Sequence, residues 1–313
     1  MMLLIQYTLV YASLLTVVAL GGCYSERSGI INIGLEGIMV MGGLGGILVL
    51  AFIPATLPPI LIFLAATLAA MICGMVYSLL LGVASINFKA DQTLVGTALN
   101  MLGLALATVI VKALIIARTA GADNSARIIF KDTRPLLSLS QGTEFNMFMI
   151  LTVILLVAAY IVLYKTRFGL RLMSCGEHPQ AAASVGISVA KMRYFGVLIS
   201  GALGGIGGLM YIYSCGSEAN FETGVAGFGF LALAVMIFGQ WKPHRIAISA
   251  LLFGLFRALA NVNQAIELLE RLDIPKPIYN MLPYVICLIV LAFTSKSSKA
   301  PKAEGIPYDK STR

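Results

Sequence analysis

Long apolar stretches, separated by short polar or proline-containing links, make up most of this chain. An α-helix needs about 20 mostly apolar residues to cross a bilayer, and many windows of the chain meet that requirement. The predicted helices span residues 3–22, 35–53, 60–86, 92–116, 146–164, 193–214, 224–240, 244–263 and 280–295. The pattern therefore predicts an all-α polytopic membrane protein with about nine transmembrane segments, within a range of 8–10.

One stretch, residues 25–46, combines many glycines with charge between two apolar segments. It has the sequence SERSGIINIGLEGIMVMGGLGG and contains Glu26, Arg27 and Glu36. Non-helical backbone at membrane depth is tolerated only where it is buried in protein or lines a water-filled cavity. We therefore predict a helix that is broken inside or at the edge of the bilayer, next to a pathway through the membrane.

A second glycine-rich interruption, residues 223–239, follows a long helix in the second half, as residues 31–46 do in the first. Interrupted helices at corresponding positions mark the binding site of many transporters, so we predict two loosely repeated halves that meet at the pathway. The candidate pathway or gate residues are Asn32, Gly34, Glu36, Gln92, Thr93, Asn100, Gly227, Phe228 and Phe230. Gly-x-x-x-Gly spacing, as at 42–46 and 201–205, allows close helix packing but arises by chance in glycine-rich spans.

Several of these residues have two interpretations. An ionisable group inside a membrane is a functional candidate by default, yet Glu36 would equally stabilise the N-terminus of the helix that begins near it. Phe228 and Phe230 would form an apolar gate, stack on a base, or pack in the protein. Asp91 and Gln92 would either offer hydrogen bonds to a substrate or cap the fourth helix. The sequence leaves these alternatives open.

Composition and charge support a membrane protein and suggest its orientation. Hydrophobic residues account for 59% and charged residues for 12%, against about 25% charged in soluble domains. Lysine and arginine concentrate in residues 164–193, 241–245 and 296–313, and basic residues favour cytoplasmic loops. We predict an outside N-terminus and a cytoplasmic C-terminal tail that is disordered. The net charge of +8 then needs no nucleic-acid partner.

The chain lacks the motifs of several enzyme classes. The dipeptide Gly-Lys never occurs, so there is no phosphate-binding G-x-x-x-x-G-K-[ST] motif, and H-E-x-x-H and G-x-S-x-G are also absent. The two histidines adjoin prolines, and the five cysteines have no metal-ligand spacing. We therefore expect no catalytic residue, cofactor or metal on this chain, which disfavours a membrane-bound enzyme.

Residues 165–192 contain a run of small residues. Pro179 would open a short helix over 180–185, and Gly186 would end it. A helix of this composition buries little apolar surface by itself. It would serve as a plug that docks into another protein, and an ordinary connecting loop is the competing interpretation.

Residues 25–37, 169–203 and 227–243 resemble permease subunits of bacterial ABC importers in the ribose and branched-chain amino acid permease superfamily. The chain is most similar to the nucleoside, or simple sugar, permeases over roughly residues 5–295. The resemblance implies a permease domain over 1–295, with a coupling loop at 165–192 and a tail at 296–313, in the bacterial cytoplasmic membrane. It also implies a substrate among nucleosides or related ribosyl and simple sugar compounds.

The resemblance further implies that ATP hydrolysis and substrate delivery are carried out by partner subunits. ATP and Mg²⁺ would bind a partner ATPase subunit, a second and different permease would complete the channel within the lipid, and an external lipoprotein would deliver substrate. The residues implied to contact the ATPase are Gly176, Glu177, His178, Pro179, Gln180, Ala181, Ala182 and Gly186. Gln180 replaces the family's usual glutamate, which puts an ion pair there in doubt. The alternative is a stand-alone secondary transporter.

Overall fold

The computed structural model describes residues 2–119, 123–139, 144–262, 278–279, 281–286, 288 and 300–309. Its helices are α1 (Met2–Arg27), α2 (Leu35–Phe52), α3 (Pro59–Gly82), α4 (Gln92–Thr119), α5 (Met147–Lys165), α6 (Arg167–Glu177), α7 (Pro179–Ser184), α8 (Val189–Cys215), α9 (Phe228–Phe238) and α10 (Pro243–Val262). A π-helical turn (Val83–Asn87) extends α3, and a 3-10 turn (Arg134–Leu137) precedes α5. Strands β1 (Arg127–Ile129) and β2 (Glu218–Asn220) pair in antiparallel fashion.

Seven described helices are long and apolar enough to cross a membrane: α1, α2, α3 with its π-helical turn, α4, α5, α8 and α10. The prediction of an all-helical polytopic protein is therefore confirmed. The count of nine spans is not, because the helix predicted over 280–295 lies mostly outside the described residues. The helix predicted over 224–240 is also shorter than expected.

That shorter helix, α9, has 11 residues. At 1.5 Å per residue it is about 16 Å long, roughly half of the ~30 Å hydrocarbon core. Its start is delayed because Ala226 and Gly227 adopt left-handed backbone angles, with φ of 50° and 79°. The second glycine-rich interruption is thus a half-length helix that follows a sharp turn.

Helices α2, α3 and α8 meet at glycines. A Cβ atom added to Gly42 would lie 2.1 Å from the Cα of Gly205, and one added to Gly74 would lie 2.2 Å from the carbonyl oxygen of Gly201. Only hydrogen side chains allow these backbones to come so close. The Gly-x-x-x-Gly spacing at 201–205 therefore marks a helix contact in this fold. Around it, α1 packs between α8 and α10 and is buried along most of its length.

The bundle has two different ends. The end of α1, the links 28–34 and 239–242, and helices α6 and α7 lie together at one end, which we call the α7 end. The paired strands β1 and β2 lie at the other end, which we call the β end, beside the ends of α2 and α8. The first glycine-rich interruption begins in the link 28–34 at the α7 end, and the second, residues 223–239, leads into the link 239–242 at the same end.

The described part of the C-terminal tail, residues 300–309, differs from the expected disorder. It forms turns against the α7 end, where Pro301 and Ala303 are buried. The Ala303 N–H donates to the carbonyl oxygen of Gly176 at 2.8 Å, and the Arg193 guanidinium donates to that of Ile306 at 3.0 Å. The expectation of disorder came from amino-acid composition, which carries no information on hydrogen bonds made by the backbone.

Candidate functional site

The side chain of Glu36 joins the two glycine-rich interruptions. Glu36 lies in the first turn of α2, and its two carboxylate oxygens accept hydrogen bonds from the N–H groups of Gly227 and Gly229, each at 2.7 Å. These N–H groups belong to the start of α9, where a helix leaves its first amides without internal partners. The carboxylate therefore caps α9 and ties the first half of the chain to the second.

Glycine is required on the α9 side of this contact. A Cβ atom added to Gly229 would lie 2.5 Å from the backbone nitrogen of Glu36. Gly227 adopts φ of 79°, a left-handed angle that favours glycine. The helix stabilisation considered for Glu36 is thus present, but the helix it caps is α9 rather than α2. The assignment of Glu36 to the transport pathway stays a prediction.

Two further pathway candidates hold the link before α2 against α4. The Asn100 side chain accepts from the Gly37 N–H at 2.8 Å and donates to the Ile33 carbonyl oxygen at 2.9 Å. The Gln92 side-chain oxygen accepts from the Ile31 N–H at 2.7 Å. These amides supply the hydrogen bonds that irregular backbone needs inside a membrane protein, so the link between α1 and α2 is fixed by α4.

Asn32 extends this arrangement to α8, since its side-chain amide donates to the Ser200 hydroxyl at 2.8 Å. The Asn32 Oδ1 and Gln92 Nε2 atoms are buried and have no hydrogen-bond partner among the described residues. Thr93 is exposed, and Asp91 caps α4 by accepting from the Thr93 N–H at 2.8 Å, one of the two roles expected for it.

The two phenylalanines of α9 have different surroundings. Phe228 is 1% exposed and packs against the rings of Tyr11 and Tyr211, with centroid distances of 5.6 and 4.8 Å. The guanidinium of Arg257 lies over its ring at 4.9 Å. Of the three interpretations, packing describes Phe228 in this conformation. Phe230 is 46% exposed and lies on the outer face of α9.

At the α7 end, the last turn of α1 contacts both the coupling segment and the link after α9. We call this contact the Glu26 junction, made of Glu26, Arg27, Gly176, Glu177 and Trp241. The Trp241 indole N–H donates to Glu26 at 2.6 Å, and the Arg27 guanidinium donates to the Trp241 carbonyl oxygen at 3.1 Å. A Cβ atom on Gly176 would lie 2.3 Å from the Arg27 carbonyl oxygen. Arg27 and Glu177 also form an ion pair at 3.9 Å.

The Glu26 junction brings coupling residues together with Glu26 and Arg27, to which the sequence assigned no role. Gly176 and Glu177 were candidates through the resemblance, whereas Arg27 and Trp241 were not. The signal that points to Arg27 is charge placement, because Glu26 and Arg27 end a helix that is otherwise apolar. The junction gives α6 a direct backbone contact with the link that precedes α2.

The short helix expected in the coupling segment is present as α7. It begins at Pro179, and Gly186 follows it with φ of 83°. Ala182 is buried against α6 and α8, while Ala181 and Val185 face outward and Val185 is 74% exposed. Of the remaining coupling candidates, His178 and Gln180 are exposed too. One side of α7 thus anchors it, and the other side is open to a partner.

We expect Trp241→Phe to lower the free energy of unfolding by about 1–3 kcal/mol, because the buried Glu26 oxygen loses its indole donor. Thermal unfolding of the purified protein in detergent measures the change. Tyr160→Phe is the matched control, since Tyr160 is 42% exposed on α5. A Trp241→Phe variant that unfolds at the wild-type temperature would contradict the assignment.

Comparison with known proteins identifies the class of this molecule. Residues 4–291 match the family described as the permease component of the branched-chain amino acid transport system. The chain belongs to this permease family. The match includes both glycine-rich interruptions, α7 and the Glu26 junction, and it ends before the tail segment 300–309. The permease is therefore a transport subunit rather than an enzyme.

Individual relatives are similar over nearly the whole permease. It is 39% identical to the guanosine ABC transporter permease protein NupQ of Bacillus subtilis, over 99% of this chain and 98% of NupQ. It is 38% identical to the nucleoside ABC transporter permease protein NupC of Lactococcus lactis, over 99% of this chain and 97% of NupC. A second L. lactis protein, the nucleoside ABC transporter permease protein NupB, is 25% identical over 78% of this chain and 68% of NupB.

Proposed function

We propose that this permease is a membrane subunit of an ATP-driven importer that moves nucleosides, or related ribosyl compounds, into the cytoplasm. The main support is similarity of 38–39% identity, over nearly full length, to two permeases that are named for guanosine and for nucleosides. ATP hydrolysis belongs to a partner subunit in this proposal. The permease contributes a pathway whose two conformations the partners stabilise to different extents.

The ATPase binds the α7 end, on the exposed side of α7. Motion of α6 and α7 passes to the end of α1 because Gly176 touches the Arg27 backbone and Glu177 pairs with Arg27. From the Glu26 junction it reaches the start of α2 and, through Trp241, the end of α9. Glu36 joins α2 to α9, so both glycine-rich interruptions move together and act as the gate.

In this proposal the α7 end is cytoplasmic and the β end faces outward, where an external lipoprotein delivers substrate. The basic residues of 164–193 and 241–245 support this orientation. Helix α1 ends at the α7 end, so the chain starts outside, while the tail returns to the cytoplasmic side. The two matching L. lactis permeases, NupC and NupB, support a second permease that is a different chain.

We expect Val185→Glu to abolish recovery of the ATPase with the permease from mild detergent, because it places a charge on an exposed apolar residue at the end of α7. Uptake of labelled guanosine by cells should fall in parallel. Ile129→Glu is the matched control, because Ile129 is 58% exposed on β1 at the β end, and it should keep the ATPase. Guanosine uptake by liposomes that contain the permease alone, without ATP, would instead support a secondary transporter.

A further inference from the structure

The tail segment 300–309 connects two elements that the proposed mechanism requires to move together. The Ala303 N–H donates to the Gly176 carbonyl oxygen at 2.8 Å, at the end of α6. The Gly305 N–H donates to the Gly29 carbonyl oxygen at 3.3 Å, in the link between α1 and α2. The tail therefore bridges the coupling segment and the first glycine-rich interruption by backbone hydrogen bonds.

A buried arginine provides a third anchor. Arg193, in the first turns of α8, is 1% exposed, and its Nη1 donates to the Ile306 carbonyl oxygen at 3.0 Å. Its Nε and Nη2 atoms have no hydrogen-bond partner within the described residues. A buried cation is costly unless it is hydrogen-bonded, so the tail supplies a partner that this guanidinium needs. At the tail's other end, Lys89 and Asp309 form an ion pair at 2.6 Å.

A fifth contact of the tail joins two carboxyl groups. The side chain of Glu304 is hydrogen-bonded to that of Glu26, which is 4% exposed and also accepts from the Trp241 indole and the Asn32 N–H. A hydrogen bond between two carboxyl groups needs a proton on one of them. Burial raises the pKa of Glu304 above the ordinary value of a glutamate, while the hydrogen bond with Glu26 acts in the opposite direction. The tail thus adds to the Glu26 junction a second carboxyl group that shares a proton with Glu26.

We propose that residues 300–309 form a strap that holds the coupling segment against the first glycine-rich interruption, and that Glu304 is a positioning residue for transport. The strap makes the motion of α6 and α7 reach α2. When the strap is released, the partner ATPase still hydrolyses ATP, but the motion of α6 and α7 moves the glycine-rich interruptions less. This inference rests on the proposed function and adds to it a structural element that lies beyond the family match.

The strap is expected to depend on pH. Because the pKa of Glu304 is raised in the docked tail, its contribution to docking is complete below the ordinary glutamate pKa and is lost as the pH rises through the raised value. The charged groups on the elements packed around the carboxyl pair are Arg27 on α1, Glu177 on α6 and Arg193 on α8. Within the described part of the chain, Arg27 pairs with Glu177, and neither Glu26 nor Glu304 has a salt bridge. Loss of the shared proton therefore leaves two carboxylates in repulsion.

The test is the number of guanosine molecules transported per ATP hydrolysed, measured in proteoliposomes with the whole transporter at several pH values on the ATPase side. In the wild type we expect this ratio to fall as the pH rises. Glu304→Ala should lower it about fivefold or more at acidic pH, a typical size for coupling between sites. Glu304→Gln has an amide that can donate to or accept from the Glu26 carboxyl group, so this variant should keep the ratio high and independent of pH.

Lys302→Ala is the matched control, since Lys302 is exposed on the same segment, and it should behave as the wild type. Gly305→Ala is a second variant that leaves both carboxyl groups in place. Gly305 adopts φ of 76°, and a Cβ atom there would lie 2.7 Å from Ile31, so this change should also lower the ratio. Retained ATP hydrolysis shows that each variant is folded and assembled.

The results that would overturn the strap and the importer proposal differ, so the experiment tests the two separately. A wild-type ratio in both Glu304→Ala and Gly305→Ala, at every pH, would overturn the strap and leave the importer proposal intact. Loss of the pH dependence in the Glu304→Gln variant, with the ratio kept high, would support the positioning role, because a merely structural side chain would not alter a pH profile. Transport without any ATP would overturn the importer proposal itself.

Discussion

Gly205→Val is expected to prevent the permease from forming its central helix contact. A Cβ atom on Gly205 would lie 2.2 Å from the Ala70 carbonyl oxygen and 3.3 Å from the Cα of Gly74. Both are backbone atoms of α3, which cannot turn aside as a flexible side chain would. Overpacking of a core typically costs 1–3 kcal/mol, and we expect about 3 kcal/mol or more here because α3 and α8 must separate.

Size-exclusion chromatography and thermal unfolding in detergent measure this effect. We expect Gly205→Val to give little monodisperse protein, and what is recovered should unfold at a lower temperature than the wild type. Ala158→Val adds comparable volume on the exposed face of α5 and should change neither measurement. Normal yield and stability of Gly205→Val would mean that α3 and α8 do not approach each other at this glycine.

The helices that cross the membrane were largely predictable from the apolar pattern. The prediction over 3–22 corresponds to α1, and that over 92–116 corresponds to α4, with end points that differ by up to five residues. This works because every backbone polar group in a bilayer must be bonded within its own helix, so length and hydropathy alone define a span. The ends differ because polar residues such as Glu26 and Arg27 continue α1 beyond its apolar part.

The contacts between helices were not predictable in the same way. Glu36 and Gly227 are separated by 191 residues, and Trp241 and Glu26 by 215. A local pattern contains no information on which distant amide a carboxylate will meet. The sequence identified Glu36 and Gly227 as candidates because each interrupts an apolar stretch, but their hydrogen bond depends on how the two halves pack.

The coupling helix and the tail show the same difference between features set by local sequence and features set by contacts with distant residues. Helix α7 was predictable because Pro179 and Gly186 have local conformational preferences that begin and end a helix. The tail segment 300–309 is held by the carbonyl oxygens of Gly176 and Gly29, which are residues of other elements. Any residue type except proline could donate such a backbone hydrogen bond. Composition therefore suggested disorder for a segment that the fold holds in place.

Glu36→Ala is expected to reduce guanosine uptake by about 30-fold or more, because two buried N–H groups lose their acceptors. The Gly227 and Gly229 N–H groups would lose their acceptors, and an unsatisfied buried donor costs about 1–3 kcal/mol. Together they amount to about 2–6 kcal/mol, and each 1.4 kcal/mol changes an equilibrium about tenfold. The start of α9 would no longer be fixed to α2, so the two glycine-rich interruptions would not move together.

Uptake by cells that express the whole transporter, normalised to the amount of permease in the membrane, tests this expectation. Glu36→Gln should give an intermediate rate, because its amide oxygen accepts one N–H while its NH₂ group faces the other. Glu222→Ala is the control, since it removes only an exposed ion pair with Lys112 at 2.9 Å, and such pairs contribute little. If Glu36→Ala transports at the wild-type rate, the cap on α9 is dispensable and the gate does not depend on the contact between the halves. An intermediate rate for Glu36→Gln would instead show that transport follows the number of α9 amides that are capped.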